Sequence, residues 1–396
     1  MSQVSILIPA RNADATIARA IASVRSQTAA PLIVVDDFST DRTVEVAKDV
    51  GGQTLRVVRP RGRGTVASVR MLALAETRTP FAVWLDADDE LLPGRVDRLV
   101  QVLEAEGSDF AWDAAELVTD ADDGPTIAVP IPDFLIRDPQ PVRLFERNYL
   151  PAPGTPGVRV RAALRVGYDP TFAAAEDIDL MLRAVAEGAP ISLVSETGYR
   201  IISRAGSLSR HLDHQRAWYR RALAKHPYER IRALYLDTGH LPEIAAWALV
   251  SVALFRQDWK RATHWLIEVR GLCPDPDTVI ESDGPCPWSE GWRQAFTAGT
   301  LALLTDDMPE AIDWLDRAES ARPSAEGLNN LGVAHTRLGQ TGRALECFEK
   351  ALALRPGYAD ARLNLDGSSP PRITTHPFRH EPSRADYSVR DVGRLP

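Results

Sequence analysis

Two short acidic runs close apolar stretches of this chain. Asp36-Asp37 follows residues 32–35, and Asp86-Ala87-Asp88-Asp89 follows residues 81–85. An apolar run that stops at paired carboxylates predicts a buried strand delivering charge to the rim of a sheet, where open α/β folds bind ligands. Hard carboxylate oxygens suit Mg²⁺ or Mn²⁺, which in turn hold diphosphate oxygens. Together the two clusters predict a site for a cation-bridged, phosphate-bearing substrate. A third acidic pair, Glu176-Asp177, opens a predicted helix over 175–187, where negative charge suits the helix N-terminus.

The elements that must carry these residues are legible from periodicity. Residues 4–8, 32–35 and 81–85 are apolar runs of strand length, and 55–58 reads as a third strand in chain order. Between them lie helical patterns over 13–26, 40–50 (with Ser39 or Thr40 as N-cap) and 66–76, the last opened by the basic loop at 61–64. Strands alternating with helices of this length predict βαβ units and a mostly parallel sheet. Residues 120–160, rich in Pro, Gly and Asp, are expected to be loops and edge strands.

Composition bounds the partners. The 396 residues include 44% hydrophobic and 25% charged, enough for two or three domains. A formal charge of −8 gives no reason to expect nucleic acid. Cys273, Cys286 and Cys347 are too few and too scattered for a disulfide framework or a zinc site, and fit a reducing compartment. No signal-peptide pattern opens the chain, and the longest apolar stretch, 244–255, is too short to span a bilayer. A cytoplasmic location is therefore expected. Residues 200–232 carry nine Lys/Arg against two acids, a local excess of +7 (nine minus two), which could meet an anionic membrane peripherally.

The last third turns helical and repetitive. Residues 325–358 place Leu331, Gly332, Ala344, Phe348, Ala351 and Pro356 at tetratricopeptide signature positions. Gly299, Ala311, Leu315, Ala318 and Pro323 precede them at a constant shift, and Ala246, Leu249, Ala262, Leu266 and Pro274 define a unit over 243–274. Small residues permit helix crossing, and proline ends each second helix. A closing helix is expected at 359–365, and a disordered tail over 367–396, rich in Pro, Arg and Ser. The expected layout is a catalytic domain over 1–225, a helical linker over 226–242, repeats over 243–366 and the tail.

Five blocks in order give the first half a resemblance. They are VSILIPARNADATIARAIASVRSQT, LIVVDDFSTDRT, GTVASVRMLAL, FAVWLDADDELLPGRV and AAEDIDLMLRAVAEG. Over about residues 3–210 the chain resembles the family 2 glycosyltransferases. That resemblance implies a GT-A fold, a Rossmann-like mixed sheet, ahead of the all-α repeats. It also implies roles. Asp86-Ala87-Asp88 stands where the family has its DxD motif, Asp88 ligating a Mn²⁺ or Mg²⁺ ion and Asp86 touching ribose or a metal-bound water. Asp36 and Asp37 match the pair that hydrogen-bonds base and ribose. Pro9, Ala10 and Arg11 match the loop that packs on the base, and Arg70 matches an arginine aimed at the nucleotide. The family's usual asparagine after that arginine is Met71 here. Glu176-Asp177 resembles the family's ED motif, in which Asp177 would be the general base and Glu176 would orient the acceptor. The metal-binding histidine of many relatives is missing from Ser203-Arg204-Ala205-Gly206-Ser207, where Arg204 would contact the diphosphate instead.

The expected function is inverting transfer of a sugar from a nucleoside-diphosphate donor, a UDP-sugar favoured, to a peptide, protein or saccharide acceptor. Oligomerisation is compatible with this reading. Rival readings are a transferase for a surface polysaccharide or lipid-linked saccharide, and a non-catalytic repeat scaffold, which would have lost the base or the DxD aspartates. A nucleotidyltransferase would place a Gly-rich basic loop after the first strand, where Pro9-Ala10-Arg11-Asn12 stands.

Overall fold

A computed structural model describes residues 3–119, 126–137, 140–203, 212–273, 290–367 and 369–375. The chain divides into two compact units, Met1–Pro227 and Tyr228–Pro396.

The first unit alternates β1 (Val4–Ala10), α1 (Ile17–Arg25), β2 (Leu32–Asp36), α2 (Thr43–Gly51), β3 (Leu55–Val58), α3 (Val66–Ala75) and β4 (Phe81–Trp84). It continues through β5 (Glu90–Leu91), α4 (Arg95–Ala105), β6 (Phe110–Thr119), β7 (Ile127–Val129), α5 (Asp133–Arg137), β8 (Gly157–Arg159), α6 (Val160–Val166), α7 (Glu176–Ala186), β9 (Ile191–Ser203) and α8 (Leu212–Ala224). Among the described residues one nine-stranded sheet runs β3-β2-β1-β4-β8-β6-β9-β5, with β7 on β6. The β3-β2-β1-β4 portion is parallel, because each crossover carries a helix. Strands β1, β2 and β4 are buried on both faces and accordingly read as nearly unbroken apolar runs, whereas β3, at the sheet edge, is part-buried and carries the exposed Arg56. The sheet turns mixed at β8, which is antiparallel to β4 and β6, and at β5, antiparallel to β9.

Two local expectations need correction. Helix α2 begins at Thr43, and Ser39 and Thr40 do not cap it. They lie in a loop stitched to the one after β1: Asn12 N–H donates to Ser39 Oγ at 3.0 Å, and Thr40 N–H donates to Asn12 Oδ1 at 2.9 Å. The helix start is held instead by Asp41, which accepts from the Thr43 N–H at 3.0 Å. The stretch 140–160 holds more than loop: a 3₁₀ turn at Pro141–Phe145 and the internal strand β8.

The second unit is helical: α9 (Tyr228–Asp237), α10 (Pro242–Arg256), α11 (Trp259–Leu272), α12 (Glu290–Leu304), α13 (Met308–Ala321), α14 (Ala325–Arg337), α15 (Thr341–Leu354) and α16 (Ala359–Leu365). The last matches the expected closing helix. Helices α10/α11, α12/α13 and α14/α15 pack as hairpins. Glycine is required at their crossings: a Cβ on Gly299 would lie 2.6 Å from Leu315, and one on Gly332 would collide with the Phe348 ring. Turns between hairpin helices use side-chain caps, Asp258 on the Arg261 N–H and Asp307 on the Glu310 N–H. No helix among the described residues is long and apolar enough to cross a membrane. Of the expected disordered tail, residues 369–375 are instead placed, with Thr374 buried, and residues 376–396 lie outside the described residues.

Candidate active site

Asp86 stands just beyond the carboxyl end of β4, and a buried scaffold fixes it there. Its N–H donates to the Tyr199 hydroxyl at 3.1 Å, and that hydroxyl donates to Asp89 Oδ2 at 3.0 Å. Asp89 Oδ1 accepts from the Ile202 N–H of β9 at 2.8 Å. Burial, with Asp86 and Asp88 adding repulsion, pushes the Asp89 carboxyl up to about 8. Asp89 therefore serves the fold, whereas Asp86 and Asp88 remain partly exposed. Beneath them Arg95 and Asp113 form an ion pair at 2.9 Å, each side chain 1% exposed. Arg95 also donates to the carbonyls of Trp84 (3.2 Å) and Thr155 (2.6 Å) and lies 4.7 Å from the Tyr199 ring centroid. Gly198 is obligatory opposite this pair, because a Cβ would collide with the Asp113 carboxylate.

Arg70 of α3 joins three separate segments. It is buried, and its Nε donates to Glu176 Oε1 at 3.0 Å, Nη1 to the Gly154 carbonyl at 2.7 Å and Nη2 to Asp86 Oδ1 at 2.9 Å. Its guanidinium also lies over the Trp84 ring at 4.9 Å. A planar fork with five donors can face these directions at once; a lysine ammonium cannot reproduce that geometry.

Glu176 and Asp177 open α7 after Ala175, whose φ of +53° turns the chain into the helix. Glu176 is pushed up to about 7 by burial and by Asp177, with Arg70 opposing. Burial also lifts Asp177 above the usual carboxylate range, again against Arg70. Asp177 Oδ1 accepts from the Ile178 N–H at 2.8 Å. Its Oδ2 faces Gly154, where a Cβ would sit 3.2 Å away and 3.0 Å from Arg70. One turn on, Asp179 pairs with Arg183 (2.8 Å) and Lys225 (2.5 Å), and Lys225 reaches Asp169 at 2.7 Å, so the helix is anchored from behind.

At the neighbouring rim, Asp36 is fully buried and accepts from Arg59 Nε at 2.8 Å and from the Ser39 N–H at 3.2 Å. Asp37 N–H donates to the Ala10 carbonyl at 2.9 Å, tying the ends of β1 and β2. Asp37 Oδ2 lies 3.5 Å from Arg11, whereas Oδ1 is buried without a partner. Pro9 and Ala10 end β1 beside this acceptor, and Arg11 is exposed beyond them.

The structure thus gathers Arg70, Asp86, Glu176 and Asp177 into one cluster. Pro9, Ala10, Arg11, Asp36 and Asp37 form a second group at the ends of β1 and β2. Arg204 lies outside the described residues. Sequence reasoning passed over Asp89, Tyr199, Gly154 and the Arg95–Asp113 pair. Tyr199 and Gly154 meet partners 84 to 113 residues away, Arg95 and Asp113 sit 18 residues apart on different elements, and only the third acid of Asp86-Ala87-Asp88-Asp89 carried a signal. Among the described residues no three His, Cys, Asp or Glu side chains converge on a cation cage. A divalent ion shared with a diphosphate needs only one or two carboxylates, and Asp86 and Asp88 supply oxygen donors of that kind.

Residues 5–151 match the model described as Glycosyl transferase family 2, and residues 325–358 match that of the Tetratricopeptide repeat. The first unit carries a family 2 glycosyl transferase domain. The chain is 35% identical over 228 residues to the succinoglycan biosynthesis protein ExoU of Rhizobium meliloti, covering 52% of this chain and 64% of that protein. It is 28% identical over 239 residues to ExoO of the same organism, covering 53% and 64%. The chain thus spans a little under two thirds of the length of these relatives. Among solved structures, TarS residues 1–349 from S. aureus, in complex with UDP-GlcNAc, superposes with a TM-score of 0.51 at 16% identity, over 81% of this chain and 92% of that one. The likeness is one of fold, and it bears out the GT-A sheet followed by helices.

Proposed function

We propose that this family 2 domain is an inverting glycosyltransferase that moves a sugar from a nucleoside-diphosphate donor to a saccharide hydroxyl. The observation that carries the reading is Arg70, one buried guanidinium that ties the acidic end of β4 to the acidic start of α7. Inversion needs the donor's leaving group and the acceptor's base on opposite faces of the sugar, and this link fixes the acidic end of β4 and the acidic start of α7 relative to each other, as such a site requires.

The nucleotide lies over the ends of β1 and β2. The unpartnered Asp37 Oδ1 is a buried acceptor suited to an N–H of the base, while Asp36, already held by Arg59, keeps the loop in shape. Pro9, Ala10 and Arg11 flank the base. UDP is the favoured nucleotide, consistent with the donor bound by TarS. Asp88 and Asp86 would hold a Mn²⁺ or Mg²⁺ ion, which when bound would supply positive charge to offset the negative charge of the departing diphosphate. Asp177 takes the proton from the acceptor hydroxyl, and its raised affinity for protons suits a base. Glu176 orients the acceptor, and Arg204 stands as a candidate contact to the diphosphate.

The acceptor class follows the relatives, both named for succinoglycan biosynthesis. A peptide acceptor has no comparable support. A membrane role for 200–232 loses part of its basis, because Arg200 pairs with Glu90 and Glu116, Lys225 with Asp169 and Asp179, and Arg232 with Glu268. A cytoplasmic location goes with nucleotide-sugar use. The test is a thermal-shift and calorimetric screen of UDP-, GDP- and dTDP-sugars with and without Mn²⁺. One donor should raise the melting temperature only with the cation, a ligand at 100 times its Kd adding about 2.7 kcal/mol. Asp88→Ala should abolish the cation-dependent part. Unchanged donor affinity and Mn²⁺ dependence in that variant would remove the metal assignment.

A further inference from the structure

Two polar atoms around Arg70 are left over. The Tyr168 hydroxyl and Trp84 Nε1 are buried without a hydrogen-bond partner, whereas Arg70, Asp86, Glu176 and Asp177 are all bonded. The two rings meet edge to face at 5.9 Å, and the Arg70 guanidinium lies over the indole. Trp84 is completely enclosed. Tyr168 keeps 5% exposure, and its hydroxyl feels the charges of Arg70, Glu176 and Asp177. Burial pushes its pKa up, against Arg70 and with the two carboxyls, so it stays a neutral O–H that can both donate and accept.

Tyr168 cannot swing away to find a partner. Gly167 before it takes φ +65°, and the Gly167 carbonyl accepts from Arg183 Nη2 at 2.6 Å. Asp169 after it accepts from Lys225 Nζ at 2.7 Å and from the Thr171 N–H at 2.9 Å. The Pro170 carbonyl accepts from Thr65 Oγ1 at 2.9 Å. The main chain is thus pinned on both sides of Tyr168, and Trp84 holds its ring. A buried hydroxyl without a partner disfavours the fold, so its presence here calls for a reason. A polar group held rigidly at an unused position is what a ligand contact needs. Asp177 serves only the acceptor hydroxyl that attacks, and Glu176 gives Oε1 to Arg70. A bound sugar needs a further polar contact to fix its orientation.

Resting on the transferase reading, we propose that Tyr168 binds the acceptor, its hydroxyl pairing with a second hydroxyl of the acceptor sugar beside the one that Asp177 deprotonates. Tyr168 thereby favours a saccharide over a simple alcohol and takes no part in proton transfer.

The test is Tyr168→Phe in the full chain, which removes one oxygen. A fold that does not bond this hydroxyl does not miss it, so the ligand-free variant should melt no more than about 2 °C below wild type. A larger fall, or failure to fold, would show the hydroxyl bonded inside the protein and overturn the proposal. Binding is read by saturation-transfer NMR with methyl β-D-glucopyranoside and methyl β-D-galactopyranoside, in the presence of UDP and Mn²⁺. Wild type should bind at least one of them, and the variant should bind it about three- to tenfold more weakly. One monodeoxy analogue of that glycoside, lacking the contacted group, should bind both proteins alike. Equal affinity for the parent glycoside, or none in wild type, overturns the proposal. UDP affinity should be unchanged by calorimetry, and a parallel loss would move Tyr168 to the donor side and overturn it too. Failure of the transferase reading looks different: Tyr168-dependent glycoside binding with no transfer from any UDP-sugar would leave this contact standing and remove the reaction.

Discussion

Asp177 and Glu176 are neighbours in sequence but differ in what holds them. Glu176 accepts from the Arg70 guanidinium, whereas Asp177 keeps Oδ2 turned toward Gly154. Asp177→Asn keeps size and one hydrogen bond but cannot take a proton. Donor affinity should survive by calorimetry, while transfer falls by roughly 10²–10⁴-fold; equal turnover would move the base elsewhere, with Glu176 next to test. The pH dependence has a definite sign. Both carboxyls hold their protons above the usual range, Glu176 to about 7, and a base works only after losing its proton. Transfer should therefore rise as pH increases through about 7, with the inflexion belonging to the pair rather than to either residue. A rate that falls as pH increases through that value would contradict the assignment.

At the scale of elements, the site rests on packing between distant segments. Asp113→Ala would strand the Arg95 guanidinium in the interior beneath Tyr199 and should cost about 3–5 kcal/mol, read as a lower urea midpoint of the tryptophan signal. A loss below about 1 kcal/mol would mean water already reaches the pair. What was legible in the sequence follows the same division. The strands β1, β2 and β4 announce themselves because burial on both faces demands apolar runs, and the acidic ends of β2 and β4 stand out against that background. Strands β6 and β9 were not read. β6 mixes Asp113 and Glu116 among its apolar residues, and β9 carries Glu196, Gly198 and Arg200, with Arg200 paired to Glu116 84 residues away. The repeats were legible because each crossing needs a small residue at a fixed spacing, as Gly299 and Gly332 illustrate. Arg70 could be named from a motif, but its bond to the Gly154 carbonyl could not, since a backbone oxygen in a loop leaves no mark in the residue pattern.

At the scale of the whole molecule, the chain's two units should divide the labour. We propose that the first, with its expected extent of 1–225, holds donor chemistry, and that the repeats over 243–366, reached through the linker at 226–242, govern what else is engaged. A chain ending at Pro227 should bind donor with unchanged Kd by calorimetry. A folded truncation that has lost donor binding would show that the nucleotide site depends on the helical part.

The long reach of the scaffold beneath Asp86 also sets a clock on synthesis. Asp89 waits for the Ile202 N–H, 113 residues further on, before its carboxyl has a partner. At about 5–20 residues per second that is an interval on the order of 6–20 s. During it β1, β2, β3 and β4 can already pair, while β5 has no neighbour in β9. The nascent chain therefore carries an assembled half-sheet with an unfinished acidic rim, and the ribosome must deliver β9 before that rim takes its final shape.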